Sequence, residues 1–336
     1  GPTGGRISGG GGAHAPNIAT SRRRRARAVV TSVRPLAAPE LERGLEVAPH
    51  PWQGRSMENF TLNNNVTMPA LGLGVFQMTG EQVRAAVPVA LDAGYRLLDT
   101  ASRYYNEEDL GAAIAESCVA REDLFITTKL WFKDHGYEAT RTAFRISLDK
   151  LGLDYLDLWL VHQPFNDYYG SWRAMEELVD AGLVRAIGVS NFYPDRYYDL
   201  VCHNRVVPAV NQLRLNPYDQ RRDTREISAR YGTVLQAWSP LGQGGAVLKD
   251  PVLVSIAREH GKSVPQVILR WLVQTGVSVV VKSVHEDRLR ENIDIFDFAL
   301  THAQIDAINA LDRRETGNGG PDHRDPAMLD LLRTFD

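Results

Sequence analysis

Residues 156–190 read LDLWLVHQPFNDYYGSWRAMEELVDAGLVRAIGVS and contain one complete strand–helix–strand unit. The two ends of this stretch, Leu156–His162 and Val184–Ser190, are short runs rich in apolar and β-branched residues, which is typical of buried strands. Between them, Trp172 and Met175 are three residues apart, as apolar residues on one face of a helix are. The unit therefore predicts two parallel strands joined by a crossover helix.

The same unit recurs along the chain. From Leu71 onward, short strand-like runs alternate with longer segments of helical periodicity. Successive strand starts lie 24 to 44 residues apart, and a strand with its crossover helix needs about 30 residues. The eight strand candidates are Leu71–Phe76, Tyr95–Thr100, Leu124–Leu130, Leu156–His162, Val184–Ser190, Ala209–Leu215, Thr233–Ser239 and Val277–Ser283.

Eight strands that are each followed by a helix predict an α/β fold, a parallel (β/α)8 TIM barrel. Residues 60–69, with asparagines 63–65 at the bend, predict an N-terminal β-hairpin that caps the bottom of the barrel. Two helices extra to the repeat are expected. The last spacing between strands holds two helices, near 250–260 and 264–274, where the repeat needs one, and a further helix is expected at 302–311. The alternative fold, a doubly wound open sheet, would require a glycine-rich dinucleotide turn after the first strand, and none follows it.

The composition is that of a globular protein. The chain has 336 residues, of which 43% are hydrophobic and 24% charged, values that exclude fibrous, collagen-like and wholly disordered proteins. No run of 18 or more uncharged apolar residues occurs, so no membrane-spanning helix is expected. The two cysteines, Cys118 and Cys202, do not suit a disulfide scaffold and indicate a reducing compartment such as the cytoplasm.

Residues 1–56 differ from the rest of the chain. They begin glycine-rich, include the run Arg22–Arg25 and hold no acidic residue before Glu40. This composition predicts a disordered basic leader, with 57–336 as the folded domain. Three explanations stay open: a non-native extension before a start at Met57, a transit peptide to an organelle, or a basic arm that binds polyanions. The leader has a net charge of +6. Because the whole chain has a net charge of −3, residues 57–336 have a net charge of −9, which does not indicate nucleic-acid binding.

Polar side chains collect where the predicted strands end, at the rim that holds the active site in (β/α)8 barrels. Asp99, Lys129 and His162 stand at or near three strand ends, and Tyr104 follows the second strand. Each alone is ordinarily a structural residue, but together they form a set for proton transfer. A lysine paired with an aspartate favours tyrosinate and lowers the tyrosine pKa, which allows proton donation near neutral pH. A neutral histidine donates to a carbonyl oxygen and orients it.

Six segments resemble the aldo-keto reductase superfamily, and the resemblance covers about residues 60–315. Ala237–Gly244 is most similar to the microbial diketogluconate-reductase-like branch. The segments that carry the resemblance are Gly94–Ala101 with Tyr104, Asn106, Glu107, Leu110 and Gly111; Ile126–Trp131; Leu158–Pro164; Ile187–Phe192; Val210–Gln212; and Lys282–Val284 with Arg288, Glu291 and Asn292.

The resemblance implies an enzyme, an NADPH-dependent reductase that converts aldehydes and ketones to alcohols by hydride transfer. In this family pattern Tyr104 is the general acid, Lys129 and Asp99 tune it, and His162 holds the substrate carbonyl. The expected partner is a small carbonyl compound, with no nucleic acid and no membrane, and the expected state is a monomer.

The resemblance also implies the nicotinamide site. Ser190, Asn191 and Gln212 would hydrogen-bond the carboxamide of the cofactor, and Trp238 would stack on its nicotinamide ring. Other cofactor-binding residues are implied by their place in the same motifs. They are Ser239, Leu241, Gly242, Ser283, Val284, Glu291 and Asn292.

The cofactor preference is expected from the other end of the site. Lys282 and Arg288 would bind the 2′-phosphate, and His285 would add a third donor when protonated. Because two cations beside a phosphate make charge-assisted bonds that NADH cannot make, NADPH is favoured over NADH.

Three aromatic residues, Phe76, Trp131 and Phe165, are expected to line the substrate mouth and to suit a flat or apolar carbonyl compound. Ordinary packing at the barrel rim is the alternative explanation for them. Arg214 and Asn216 replace an acid and a histidine that are usual in the family, so the identity of the substrate does not transfer from it.

Two other functions compete with the reductase. One is a regulatory subunit that binds NADPH with little turnover, as the β subunits of potassium channels do on this fold. The other is a Schiff-base aldolase with Lys129 as nucleophile. No metal site is expected, because the nine histidines show neither a His-x-x-x-His pair nor a His-Glu-x-x-His run.

Overall fold

Eight parallel strands close into a barrel in the computed structural model, which describes residues 58–313 and 322–335. The strands are the hairpin pair β1 (Asn59–Thr61) and β2 (Thr67–Pro69), and the barrel strands β3 (Leu71–Gly74), β4 (Leu97–Asp99), β5 (Phe125–Leu130), β6 (Leu156–Val161), β7 (Val184–Ser190), β8 (Val210–Arg214), β9 (Val234–Trp238) and β10 (Val277–Val281). The predicted barrel is confirmed. The alternative open sheet is wrong, because β10 pairs in parallel with β3 and leaves no free edge.

Helices follow the barrel strands and cover the outside of the barrel. They are α1 (Gly80–Asp92), α2 (Glu107–Ala115), α3 (Tyr137–Leu151), α4 (Tyr168–Asp180), α5 (Pro194–His203), α6 (Arg222–Arg230), α7 (Pro251–His260), α8 (Val264–Gln274), α9 (Glu286–Ile293), α10 (His302–Asn309) and α11 (Pro326–Arg333). The two expected extra helices are α7 and α10, and α10 ends two residues before its predicted end. None of the helices in the described ranges has the length and apolarity needed to cross a bilayer.

The hairpin of β1 and β2 forms as the sequence predicts, with asparagines at its bend. Asn63 Nδ2 donates to the main-chain oxygen of Pro208 at 3.1 Å, and Asn64 Nδ2 donates to that of Arg185 at 2.9 Å. These acceptors lie just before β8 and within β7. Leu62 and Met68 are buried in the lower barrel core, so the hairpin covers the amino-terminal end of the barrel.

The barrel strands are buried on both faces, which explains their continuous apolar runs. All six residues of β6 are buried, and Trp159 packs on Phe144 of α3 with ring centres 5.0 Å apart. Burial of a large apolar side chain contributes about 1.5–3 kcal/mol. Gly188 of β7 is required by the closeness of β8, because a Cβ there would lie 2.5 Å from the main-chain oxygen of Val210.

The predicted strands are all present but are mostly one to three residues too long. The excess residues flank the paired segments at one or both ends, as Tyr95 and Arg96 do before β4 and Lys282 and Ser283 do after β10, where the chain has already left the sheet. Residues 1–56, predicted as a basic leader, lie outside the described residues. The division of the chain at residue 57 therefore stays an expectation from the sequence.

The C-terminal helix α11 was not predicted, because the sequence after Arg313 was interpreted as a polar, irregular tail. Pro326 occupies the first turn, and the Asp325 side chain caps the helix by accepting from the Ala327 nitrogen at 2.9 Å. An eight-residue helix is marginal in isolation. Met328 and Leu332 stabilise it by packing against aromatic residues of the barrel rim.

Candidate active site

The carboxyl ends of β4, β5 and β6 bring the four predicted catalytic residues together. Asp99 is the last residue of β4, Lys129 is next to last in β5, and His162 directly follows β6. Tyr104 ends a short 3-10 turn, Ser102–Tyr104, after β4. The Tyr104 ring centre lies 5.8 Å from that of His162 and 4.8 Å from the Lys129 ammonium nitrogen. The four residues form one cluster, as expected for the rim of a (β/α)8 barrel.

Lys129 is fully buried, and each proton of its ammonium group has an acceptor. Nζ donates to Asp99 Oδ1 at 2.6 Å, to the Thr100 main-chain oxygen at 2.8 Å and to the Tyr104 hydroxyl at 3.3 Å. Burial lowers the pKa of Lys129, but attraction to Asp99 and Tyr104 outweighs it, so this pKa is raised above its usual value. A lysine that stays protonated is a poor nucleophile, which disfavours the aldolase.

The Tyr104 hydroxyl keeps its proton at neutral pH. Burial raises the pKa of Tyr104 above its usual value of 10, Lys129 lowers it in part, and Asp99 raises it again. The expectation of a lowered tyrosine pKa is therefore wrong for this arrangement, because desolvation outweighs one nearby lysine. The phenol is neutral, and it remains a proton donor toward the rim.

His162 is a buried, neutral imidazole. Burial lowers its pKa well below 6.5, and the charge of Lys129 lowers it further. Its Nδ1 has no hydrogen-bond partner among the described residues, and Trp131 packs edge-on against its ring at 5.2 Å. A neutral imidazole carries one N–H, so His162 can donate to a carbonyl oxygen without adding charge.

A chain of buried amide side chains runs from the catalytic cluster into the barrel. Gln212 Nε2 donates to Asp99 Oδ2 at 2.8 Å and to Gln236 Oε1 at 2.7 Å, and Gln236 Nε2 donates to Ser278 Oγ at 3.1 Å. Both N–H groups of Gln212 are thereby used, which leaves its Oε1 as an acceptor. Sequence analysis missed Gln236, because a polar residue within a strand gives no signal until its cross-barrel neighbours are known.

Three predicted nicotinamide-binding residues hold one another in place beside the catalytic cluster. Asn191 Nδ2 donates to the His162 main-chain oxygen at 3.0 Å, and Trp238 Nε1 donates to Asn191 Oδ1 at 3.1 Å. Ser190 Oγ donates to the main-chain oxygen of Gln212 at 2.9 Å. Asn191 has a φ of 64°, a left-handed conformation that asparagine tolerates well. The Trp238 indole is therefore held by Asn191 at the end of β7, and Asn191 is in turn held by the main chain of His162 at the end of β6.

The predicted phosphate-binding residues lie at the end of β10 and the start of α9. Lys282, His285 and Arg288 are exposed, and no ion pair engages them in the described ranges. Ser283 Oγ accepts from the His285 nitrogen at 3.1 Å and so shapes the turn that precedes α9. Two solvated cations at a helix amino terminus provide charge and donors for a phosphate.

The remaining predicted cofactor residues lie in the loops after β9 and β10 and in α9. Ser239 and Gly242 both have positive φ, 50° and 57°, in the loop after β9. A Cβ on Gly242 would lie 2.8 Å from Val247 Cγ1, so glycine is required for this close approach. The rest of the set comprises Leu241, Val284, Glu291 and Asn292, of which only Asn292 is buried.

Two of the three predicted mouth residues contact the catalytic cluster. Phe76 is 51% exposed and its ring centre lies 4.9 Å from that of Tyr104, while Trp131 packs on His162. Phe165 lies one ring further out, 6.3 Å from Phe132, in the cluster that receives α11. Phe76 and Trp131 therefore place aromatic surface next to Tyr104 and His162, respectively.

The C-terminal segment covers part of the rim, which sequence analysis missed. His323 is buried, its ring lies 6.2 Å from that of Tyr193, and its charge is among those that lower the pKa of His162. The available signal was the spacing of Met328 and Leu332 behind a proline. An apolar pair four residues apart, after Pro326, favours an amphipathic helix.

Two buried histidines near the site predict acid sensitivity of the fold. Burial lowers the pKa of His135 and of His323 from 6.5 to about 4. The unfolded chain therefore binds protons in a range where the native chain does not. The free energy of unfolding is fully retained above pH 6.5 and falls as pH decreases toward 4, by about 3 kcal/mol for each histidine.

Urea unfolding of the wild type and His135→Gln at several pH values between 7.5 and 4.5 measures this effect. We expect the decrease on acidification to be about 3 kcal/mol smaller in His135→Gln. His203→Gln, which replaces an exposed histidine on α5, is the matched control for the substitution itself. Equal slopes for His135→Gln and wild type would contradict the prediction.

Comparison with known proteins gives a consistent result for the whole barrel. The model of the Aldo/keto reductase family matches residues 70–313. A glyoxal reductase from Bacillus subtilis is 48% identical over 263 residues, covering 78% of this chain and 95% of the relative. A morphine 6-dehydrogenase from Pseudomonas putida is 45% identical over 280 residues, covering 79% and 94%.

A solved structure shows the same architecture. The crystal structure of a Bombyx mori aldo-keto reductase in complex with NADP is 36% identical, with a TM-score of 0.74. The match covers 78% of this chain and 95% of that one. The agreement in fold and sequence therefore extends over nearly the full length of these relatives.

Proposed function

Because the chain belongs to the aldo/keto reductase family and is an NADP(H)-dependent oxidoreductase of carbonyl compounds, we propose that Tyr104 is the acid that protonates the substrate oxygen. The observation that carries this assignment is the buried Lys129, whose Nζ joins Asp99 Oδ1 and the Tyr104 hydroxyl. The Tyr104 phenol stays protonated at neutral pH and is partly exposed, so it can donate its proton to a substrate oxygen.

The residues at the cofactor positions fit NADPH. Gln212 Oε1 is left as an acceptor for an amide N–H, and the Asn191 side chain is fixed between His162 and Trp238. Lys282 and Arg288 provide solvated cations for a 2′-phosphate. When bound, NADPH supplies the hydride. We propose the further residues of the two rim loops and α9 as parts of the same site.

The protein residues orient the carbonyl and supply its proton. The rings of Tyr104, which follows β4, and of neutral His162, which follows β6, lie 5.8 Å apart between centres, so the O–H and the N–H can donate to one oxygen. As negative charge develops on that oxygen, Tyr104 transfers its proton, and the Lys129 ammonium group stabilises the phenolate left behind. Asp99 balances the charge of Lys129 in this buried place.

The first experiment follows NADPH consumption by purified protein with aldehydes, ketones and keto-sugars, beside Tyr104→Phe. We expect the wild type to consume NADPH with at least one of these substrates and Tyr104→Phe to lose this activity. NADPH binding, detected by tryptophan fluorescence, without any turnover would instead support the regulatory subunit. Borohydride trapping of a carbonyl compound on Lys129 would support the aldolase.

The phosphate assignment predicts a change in cofactor preference. We expect Lys282→Ala to weaken NADPH binding by about tenfold or more and to leave NADH binding nearly unchanged, because the lost charge-assisted bonds belong to the 2′-phosphate. Fluorescence titration with both cofactors measures the two dissociation constants. Arg145→Ala, which removes an exposed cation on α3, is the control. Equal losses for NADPH and NADH would refute the assignment.

Several properties beyond the reaction are also part of the proposal. We propose that residues 57–336 form the catalytic unit, that it acts as a monomer in the cytoplasm, and that it binds neither nucleic acid nor membrane. Cys118 and Cys202, which are exposed and form no disulfide, support a reducing compartment. We also propose that the chain belongs to the diketogluconate-reductase-like branch, on the sequence Ala237–Gly244.

A further inference from the structure

We propose that Arg103 binds an anionic group of the substrate, so that this enzyme prefers carbonyl compounds carrying a carboxylate or phosphate. The proposal rests on the proposed reductase function and names the class of its substrates. Neither the apolar mouth nor the cofactor residues require an arginine at this position. Three features of Arg103 support the proposal: its place, its surroundings and its missing partner.

Arg103 is placed where a substrate group can reach it from the catalytic cluster. It directly precedes Tyr104 in the 3-10 turn after β4. Trp131 lies between the arginine and His162, with its ring centre 5.9 Å from the guanidinium carbon and 5.2 Å from the His162 ring centre. Arg103 is thus adjacent in sequence to Tyr104 and one aromatic ring away from His162, and under the proposal a substrate held by those two residues extends its anionic group toward Arg103.

Aromatic rings surround the guanidinium group. Its carbon lies over the Tyr105 ring at 4.6 Å and over the Phe335 ring at 5.6 Å, in addition to Trp131. Rings attract the face of a guanidinium group, and they leave the N–H bonds free to point outward in its plane. Tyr105 and Phe335 are themselves exposed, so the guanidinium group stays accessible to an anion from solvent.

Arg103 lacks the acceptors that a structural arginine has. Its Nε–H is buried without a hydrogen-bond partner, and no carboxylate pairs with its guanidinium group within residues 58–313 and 322–335. By contrast, terminal nitrogens of Arg121 and Arg185 pair with the buried carboxylate of Asp157, although the Nε–H of Arg121 also has no partner. Since a buried donor without an acceptor is costly, an anion supplied by the substrate would satisfy Arg103.

Basic residues also line the cavity next to Arg103. Lys133 and Arg333 are among the residues that line a cavity of about 590 Å³ beside Phe132 and Phe165. Lys133 Nζ donates to the main-chain oxygen of Phe335, the residue that stacks on Arg103. Two basic side chains thus line the cavity beside the ring of Phe335, which packs on Arg103.

The test compares each acidic aldehyde with its neutral methyl ester, which for the phosphate is the dimethyl ester, in NADPH-dependent reduction. Glyoxylate, succinic semialdehyde and 4-carboxybenzaldehyde place the carboxylate at three distances from the carbonyl, and 4-formylphenyl phosphate replaces the carboxylate by a phosphate. We expect kcat/KM for at least one acid to exceed that for its ester. In Arg103→Met this acid-to-ester ratio should fall about tenfold or more, and Arg103→Lys should restore part of it.

Arg205 provides the matched control. It is an exposed arginine that follows α5, and it pairs with Asp180. Arg205→Met should keep the wild-type ratio. A ratio that Arg103→Met leaves unchanged for every pair would overturn the proposal, even if the melting temperature falls. If the wild type reduces neither acids nor esters, the proposed reductase function fails instead. The phosphate and carboxylate probes show which anion the site prefers.

Discussion

Tyr104→Phe should lower kcat for carbonyl reduction by about 100- to 10,000-fold, the range that a positioned general acid contributes. The variant removes one hydroxyl and keeps the ring that packs between Phe76 and the Lys129 ammonium group. The dissociation constant of NADPH should therefore stay near the wild-type value. Steady-state kinetics with one aldehyde, together with fluorescence titration of NADPH, measure both quantities.

The pH dependence of the wild type gives a second readout for Tyr104. Because reduction needs the protonated phenol and burial raises the pKa of Tyr104 above 10, the rate should be lost only as pH rises past that value. Tyr105→Phe is the matched control, since Tyr105 is 63% exposed and stacks on Arg103 rather than on the catalytic cluster. Reduction by Tyr104→Phe at the wild-type rate would disprove the assignment.

Lys129→Met should destabilise the fold and abolish most of the activity. The substitution leaves the Asp99 carboxylate buried without its cation, and breaking a buried pair in this way costs about 3–5 kcal/mol. It also removes the charge that stabilises the Tyr104 phenolate, so we expect kcat to fall by about 100-fold or more. Urea unfolding and steady-state kinetics measure the two effects.

The double variant Asp99→Asn with Lys129→Met separates stability from catalysis. It removes both charges. The amide oxygen of the asparagine can still accept the hydrogen bond that Gln212 Nε2 donates to Asp99 in the wild type. Since replacing a whole buried ion pair is often neutral, the free energy of unfolding should recover by several kcal/mol. The rate should not recover, because no cation faces Tyr104. A double variant that regains the rate would show that Lys129 acts only in folding.

Much of the site could be predicted from the sequence because it depends on residue order at strand ends. Asp99, Lys129 and His162 each follow or end an apolar run, and parallel strands present such residues at one rim. The direction in which the pKa of Tyr104 shifts could not be predicted in the same way. Burial decides it, and burial depends on how closely the whole rim packs.

The residues that sequence analysis missed act across distant parts of the chain. Gln236 links Gln212 to Ser278 across three strands, and α11 brings Met328 and Leu332 onto Trp131 and Phe132. These contacts have no local pattern, although the spacing of Met328 and Leu332 favours the helix itself. They exist only after the barrel has closed and the C-terminal segment has packed on it.

The sequence by itself determined the barrel and the cluster of Asp99, Tyr104, Lys129 and His162, because hydrophobic periodicity and strand order are local properties of the chain. Only the tertiary structure decided the protonation of that cluster and the surroundings of Arg103. Desolvation and long-range contacts set both, and these depend on which atoms exclude water from the rim once the chain has folded.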